Sequence, residues 1–287
     1  NNNNSGVRII PTAFALKALR EGNYKELSNN IAELIDNSIE ENAENIHIVG
    51  FFEDTYSGAT NFSNYTIKSI TVLDDGDGMD DTTLQQCLAL GFTDRDMDNL
   101  KLGKFGYGLK GATINLAKRV EVFSWQNGYD KANQVYLDYD EVTNNDSSYF
   151  APIASKKLPE HITKLVNKEK KTGCCVHISK LDKIRIKTPR AFSKRNKTVS
   201  AFATELSRIF RHFLDNDDSY GKKRNIVIHT LDLDGNDIID PYKLTPNDPM
   251  FLLEPNYFVE IPPITSENDY KYLQDAQKLK DKATNYL

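Results

Sequence analysis

The chain has 287 residues, of which 39% are hydrophobic and 27% charged, and it carries a formal charge of −5 at neutral pH; that much apolar sequence can bury a proper core as one large or two modest domains. No apolar run approaches the roughly 20 residues that span a bilayer, which argues against a membrane partner, and the opening Asn1-Asn2-Asn3-Asn4-Ser5-Gly6 has neither the charged nor the apolar region of a secretory leader. An intracellular place is expected, cytoplasmic or, in a eukaryote, nuclear, with residues 1–10 set aside as a frayed or appended end and Cys87, Cys174 and Cys175 as reduced thiols without zinc-ligand spacing.

Pro11 followed by the apolar Ala13 to Leu19 predicts a short first helix, since proline suits a first turn. Leu27, Ile31, Leu34, Ile35 and Ile39 recur at amphipathic helical spacing and predict a second. Ile46 to Phe52 and Tyr65 to Leu73 read as two strands of a hairpin around a polar loop. Leu84 to Leu90 reads as helix, Gly91 to Gly108 as a glycine-punctuated mobile loop, and Gly108 to Lys118 as a helix launched from it. Val120 to Trp125, Gln134 to Tyr139 and Cys174 to Ser179 read as further strands, which makes a layered α+β domain. Beyond Lys187 a second unit is expected, with a helix from Thr198 to Leu214, a strand from Asn225 to Leu231, a turn at Asp234-Gly235-Asn236 and a charged helix from Lys271 to Leu287. The span from Lys156 to Arg224 holds 19 Lys and Arg against 7 Asp and Glu, a local +12. Such a segment can face an anionic partner, although basic residues also scatter over a solvated surface once a chain folds.

Three motifs carry chemistry. Glu33, Asp36 and Asn37 lie three and four residues apart and share one side of the second helix. A carboxylate beside a carboxamide suits phosphoanhydride hydrolysis: the first can orient and deprotonate water, and the second offers a hard oxygen to Mg²⁺. In Asp74-Asp75-Gly76-Asp77-Gly78-Met79 a strand runs into an acid and paired glycines. The glycines allow close backbone approach to a planar ligand, and the carboxylate can accept from the exocyclic amine of adenine. A calcium loop is excluded, because counting from Asp74 the twelfth position is Gln85 rather than Glu. In Gly103-Lys104-Phe105-Gly106-Tyr107-Gly108-Leu109-Lys110 the glycines let backbone amides turn toward an anion, and the helix that follows adds its positive end. The Gly-Lys-Ser/Thr ending of a Walker A loop is absent, and no βαβ unit surrounds it.

In this order the three motifs resemble the signature boxes of the gyrase, Hsp90, histidine kinase and MutL (GHKL) ATPase superfamily. Ala89-Leu90-Gly91-Phe92-Thr93-Asp94-Arg95 ahead of the glycine loop is similar to the lid of Microrchidia (MORC) ATPases, and Thr172-Gly173-Cys174 is similar to that family's later Gly-Thr strand, with cysteine where threonine is usual. The resemblance implies a Bergerat-type domain, a mixed sheet layered with helices over 11–186, followed over 187–287 by the start of an α/β transducer-like domain that this length could leave incomplete. It implies ATP and Mg²⁺ as ligands, Glu33 as general base, Asn37 as magnesium and ATP ligand, and Asp74 as the adenine anchor. Gly78 and Met79 would shape the base pocket beside Cys174. Thr93 and Gly103, Lys104, Phe105, Gly106, Tyr107, Gly108, Leu109 and Lys110 would close over the phosphates. Slow hydrolysis would drive closure of that lid and ATP-dependent homodimerisation, and DNA would meet the basic Lys156 to Arg224 segment.

Other readings are weaker. A non-hydrolysing sensor has no need of Glu33. A histidine kinase needs a phosphoacceptor ahead of the ATP domain, and His47, His161, His177, His212 and His229 offer none there. An Hsp90-like chaperone needs a larger middle domain.

Overall fold

The computed structural model describes residues 16–18, 20–21, 26–55, 65–88, 109, 111–144, 153–184, 186–195, 198–215 and 222–247. One mixed sheet of eight strands organises them. The strands are β1 (Asn45–Asp54), β2 (Tyr65–Asp74), β3 (Ala117–Trp125), β4 (Asn133–Asp138), β5 (Ala154–Ser155), β6 (Gly173–Leu181), a short separate pair β7 (Lys194–Arg195) and β8 (Thr198–Val199), then β9 (Asn225–Asp232) and β10 (Asp237–Lys243). The order across the large sheet is β10-β9-β1-β2-β6-β3-β4-β5. Its pairs are antiparallel except for β1 beside β9. The expected hairpin is present, with Asp54 opposite Tyr65. Strands β9 and β10 come from beyond residue 187 and continue the same sheet through β1.

Helix α1 (Leu27–Glu40) covers one face of the sheet. Its stripe of Ile31, Leu34 and Ile35 is at most 2% exposed and packs on Ile46, Ile48, Ile70 and Val72, each such side chain contributing roughly 1.5–3 kcal/mol by burial. The helix ends in a Schellman-like turn: Asn42 takes the left-handed conformation at φ 62°, and Ala43 N–H donates to Ser38 O at 2.9 Å. Helix α2 (Asp81–Cys87) is capped by Asp80, whose Oδ1 accepts from Thr83 N–H at 2.7 Å. Helix α3 is described at Leu109 and over 111–116, and Ala117 and Lys118 already belong to β3. The helix expected to reach Lys118 is therefore shorter, because edge-to-edge pairing with β6 starts at Ala117. The helix expected over Thr198 to Leu214 is likewise three pieces: β8, then Ala201–Ile209 capped by Ser200, then Arg211–Leu214 after a break at Phe210. The expected Lys271 to Leu287 helix lies outside the described residues.

The opposite face carries its own apolar cluster, Val49, Phe51, Leu73, Phe123 and Cys175, covered by Leu158, Ile162 and Val166 of the segment around the Glu160–Thr163 helix. Four histidines collect on this side. His47 Nδ1 lies 3.0 Å from His229 Nε2, His177 Nδ1 lies 2.8 Å from Thr71 Oγ1, and the Phe51 ring meets His161 edge-on at 4.6 Å.

Candidate functional site: a pocket between helix α1 and the sheet

The pleat of β2 decides which aspartate of the second motif can meet a ligand. Ile70, Val72 and Asp74 point toward α1, whereas Leu73 and Asp75 point to the other face, as their separate core clusters show for the apolar members. In β6 the same alternation sends Cys174 and Val176 toward α1 and Cys175 away. Asp74 and Cys174 are register partners, and Cys174 is in turn the partner of Ser124 on β3. Three residues spread over a hundred positions thus stand in one row across three strands.

Asp74 and Cys174 of that row stand at the floor of a pocket whose empty space, its open mouth included, is about 500 Å³. Leu34, Asn37, Ser38 and Glu41 of the α1 side form one wall, and Val72, Asp74, Cys174 and Val176 the floor. Gly78, Met79 and Leu109 complete it. Asn37, Asp74, Gly78, Met79, Leu109 and Cys174 are thus brought together around one pocket. Glu33 stands on the same helix one turn before Asn37 and is half-buried, though it does not line this pocket. Thr93, Gly103, Lys104, Phe105, Gly106, Tyr107, Gly108 and Lys110 lie outside the described residues.

Hydrogen bonds hold the base motif in place. Asp77 N–H donates to Glu41 O at 2.8 Å and Asn42 Nδ2 donates to Asp77 Oδ2 at 2.7 Å, tying the loop to the end of α1. Met79 N–H donates to Ser124 Oγ at 2.6 Å, and that hydroxyl donates to Gly173 O at 3.3 Å. Asp74, 8% exposed, accepts from Ser38 Oγ at 2.8 Å and from Gly76 N–H at 3.0 Å. Burial pushes its carboxyl up to about 6, against the pull of those two bonds and of a third from the Cys174 backbone N–H.

Asp75 behaves in the opposite way. Burial pushes it up too, but the Asn45 side chain and backbone, Asn167 Nδ2 and Glu44 N–H all donate to it and hold it below the usual carboxylate range. Lys170 Nζ adds a bond to its backbone oxygen at 3.0 Å. Desolvation, with the Asp74 carboxylate next in weight, pushes the Cys174 thiol well up, so it stands in the pocket as a neutral weak donor. Ser38, Ser124 and Asn167 were not found from sequence, because each acts on a partner far along the chain. Ser38 alone left a signal, in its position directly after Asn37.

A deep carboxylate acceptor beside glycine backbone, with the Asn37 carboxamide on the adjoining wall, fits an adenine nucleotide. The family profile of histidine kinase-, DNA gyrase B- and HSP90-like ATPases matches residues 24–172, just over half of the chain, and the chain belongs to this ATPase family. Among particular proteins it is similar to Protein MICRORCHIDIA 6 of Arabidopsis thaliana, 34% identical over 96 residues, which are 33% of this chain and 13% of that one. It is also similar to Protein MICRORCHIDIA 5 of the same plant, 31% identical over 135 residues, 46% of this chain and 17% of that one. The matches span less than a fifth of the length of these relatives. The crystal structure of the N-terminal domain of a DNA repair protein aligns with a TM-score of 0.44 and 15% identity over 83% of this chain and 58% of that one.

Proposed function

We propose that the chain binds ATP with Mg²⁺ and hydrolyses it slowly. The observation that carries this is the convergence of Asn37, Asp74, Gly78 and Cys174 on one pocket, with Glu33 on the same helix as Asn37. Asp74 takes the exocyclic amine of adenine. The Gly78 and Met79 backbone passes the base ring, and Asn37 presents its amide oxygen toward the phosphates. Mg²⁺ held at Asn37 and completed by phosphate oxygens and water would neutralise charge on the phosphates. Glu33 orients and deprotonates the attacking water.

The lid of residues 91–108, with Thr93 and the Gly103 to Lys110 phosphate loop, belongs to this proposal, as does ATP-dependent homodimerisation. Their support is the MORC-like sequence of that stretch. The division at residue 187 is proposed as one of role, nucleotide binding before it and transducer-like coupling after it, since the sheet itself runs across.

DNA is proposed as a partner on the strength of the basic segment. Within it several cations are committed internally: Lys156 to Glu121 at 3.1 Å, Lys180 to Asp138 at 2.7 Å and Arg208 to Glu205 at 2.6 Å. Lys157, Lys164, Lys168 and Lys171 are exposed around the Glu160–Thr163 helix and are the better candidates for phosphate contact. Affinity for duplex DNA should then fall steeply with salt; a flat dependence removes the partner.

The deciding experiment compares ATP binding and magnesium-dependent hydrolysis for the wild type, Glu33→Ala and Asn37→Ala. Glu33→Ala should keep binding and lose turnover by about a hundredfold or more, and Asn37→Ala should lose magnesium-dependent binding. Binding without turnover in the wild type would leave an ATP sensor, and no binding at all would overturn the proposal.

A further inference from the structure

Resting on the ATP proposal above, we infer that Ser38 is a positioning residue for Asp74, a rotating hydroxyl that holds the carboxyl group at the pocket floor in both of its protonation states and leaves acceptor capacity for the base. Ser38 is 4% exposed on α1. Its Oγ lies 2.8 Å from Asp74 Oδ2 and 3.1 Å from Leu34 O. A hydroxyl has one hydrogen, so it can donate to only one of these acceptors at a time.

A serine inside a helix ordinarily bonds back to the carbonyl four residues earlier. Here the shorter contact reaches a carboxylate 36 positions away. Asp74 Oδ1 is fixed separately by Gly76 N–H, and the Cys174 backbone N–H gives the carboxylate a third donor. Of the carboxylate's roughly four acceptor sites, three are then taken and one is left for a ligand. When Asp74 is ionised, Ser38 O–H donates to it. When Asp74 is protonated, its own O–H donates to Ser38 Oγ, and the serine hydrogen turns to Leu34 O. The same heavy-atom positions satisfy both forms, and neither leaves a buried polar group without a partner, which would cost about 1–3 kcal/mol.

The residue is chemically tuned rather than needed by the helix. Alanine is the better helix former, so Ser38→Ala should leave α1 intact and act on Asp74. Burial already raises that carboxyl to about 6, with the Asp75 carboxylate adding to the rise and the bonds from Gly76 N–H, Ser38 and Cys174 N–H opposing it. Removing the bond should lift it by about one further unit.

The test titrates Asp74 by carboxyl ¹³C NMR in the ligand-free wild type, Ser38→Ala and Ser38→Thr, and measures ATP affinity of the same three proteins across pH. The midpoint should rise by about one unit in Ser38→Ala and return in Ser38→Thr, and the pH below which ATP affinity falls should move with it. An unmoved midpoint in a Ser38→Ala protein of native circular dichroism overturns the positioning role. A moved midpoint in proteins that all fail to bind ATP overturns the nucleotide assignment, and with it the base-orienting part of the inference.

Discussion

A Cβ placed on Gly78 would lie 2.4 Å from the carbonyl oxygen of Trp125 and 3.1 Å from that of Gly173. Both oxygens are backbone atoms of paired strands, so neither can retreat cheaply, and Gly78 itself sits at φ +68°. Gly78→Ala should lower stability by about 2 kcal/mol or more and weaken ATP binding by at least tenfold, since any relief moves Met79 out of the pocket wall. Thermal melting and equilibrium binding check the two effects separately.

Asp74 supplies a pH dependence. Its folded carboxyl titrates at about 6 against an ordinary 3.8, so the folded state holds the proton more tightly. Its contribution to stability is full below about 4, declines as pH rises to about 6 and is constant above. Ligand binding runs the other way, because an ionised carboxylate is the stronger acceptor for an adenine amine. ATP affinity should drop as pH falls below 6, and Asp74→Asn should weaken binding at all pH values while flattening the stability profile. Isothermal titration between pH 5 and 8 reads the first effect, and melting of the Asn variant over the same range the second.

Asp75 is predicted to matter for stability more than for the ligand. Asp75→Ala would strip the acceptor from Glu44 N–H, Asn45 N–H, Asn45 Nδ2 and Asn167 Nδ2, and should cost about 3 kcal/mol. Urea unfolding should show that loss, with ATP affinity of the folded fraction reduced far less than in Asp74→Asn.

The histidines on the opposite face predict acid sensitivity. Burial lowers all four, His177 and His229 to about 4. A folded value below the ordinary 6.5 means that the unfolded chain takes up protons first. Stability is full above about 6.5 and is lost as pH falls toward 4, by up to about 3 kcal/mol for each of these two groups. Replacing His229 with glutamine should flatten part of that slope, measured as melting temperature against pH.

How much of this was legible in the sequence depended on distance along the chain. The α1 stripe, the β1–β2 hairpin and the Asp74 motif follow from local periodicity and turn chemistry, and so they were readable. The different fates of Asp74 and Asp75, or of Cys174 and Cys175, were not. Each pair is chemically identical in sequence, and only the pleat together with the neighbours β6 and α1 separates pocket from core. Helix boundaries at 116 and 210 failed for a similar reason. Strand pairing with β6 overrides the helical preference of Ala117 and Lys118, and a propensity argument cannot see the partner.

The parallel pairing of β1 with β9 brings Asn45 beside Asn225, joining the first described strand with one made about 180 residues later. On a ribosome every described wall of the pocket, from Leu34 to Val176, emerges before β9 exists. Until residue 232 has been made, β1 presents one row of backbone donors and acceptors without its neighbour, an edge of the kind that invites pairing with other chains. Closing it requires a contact of very long sequence separation, which slows folding. A nascent chain stalled near residue 200 should therefore already hold the described walls of the pocket and still be sticky along the open edge of β1.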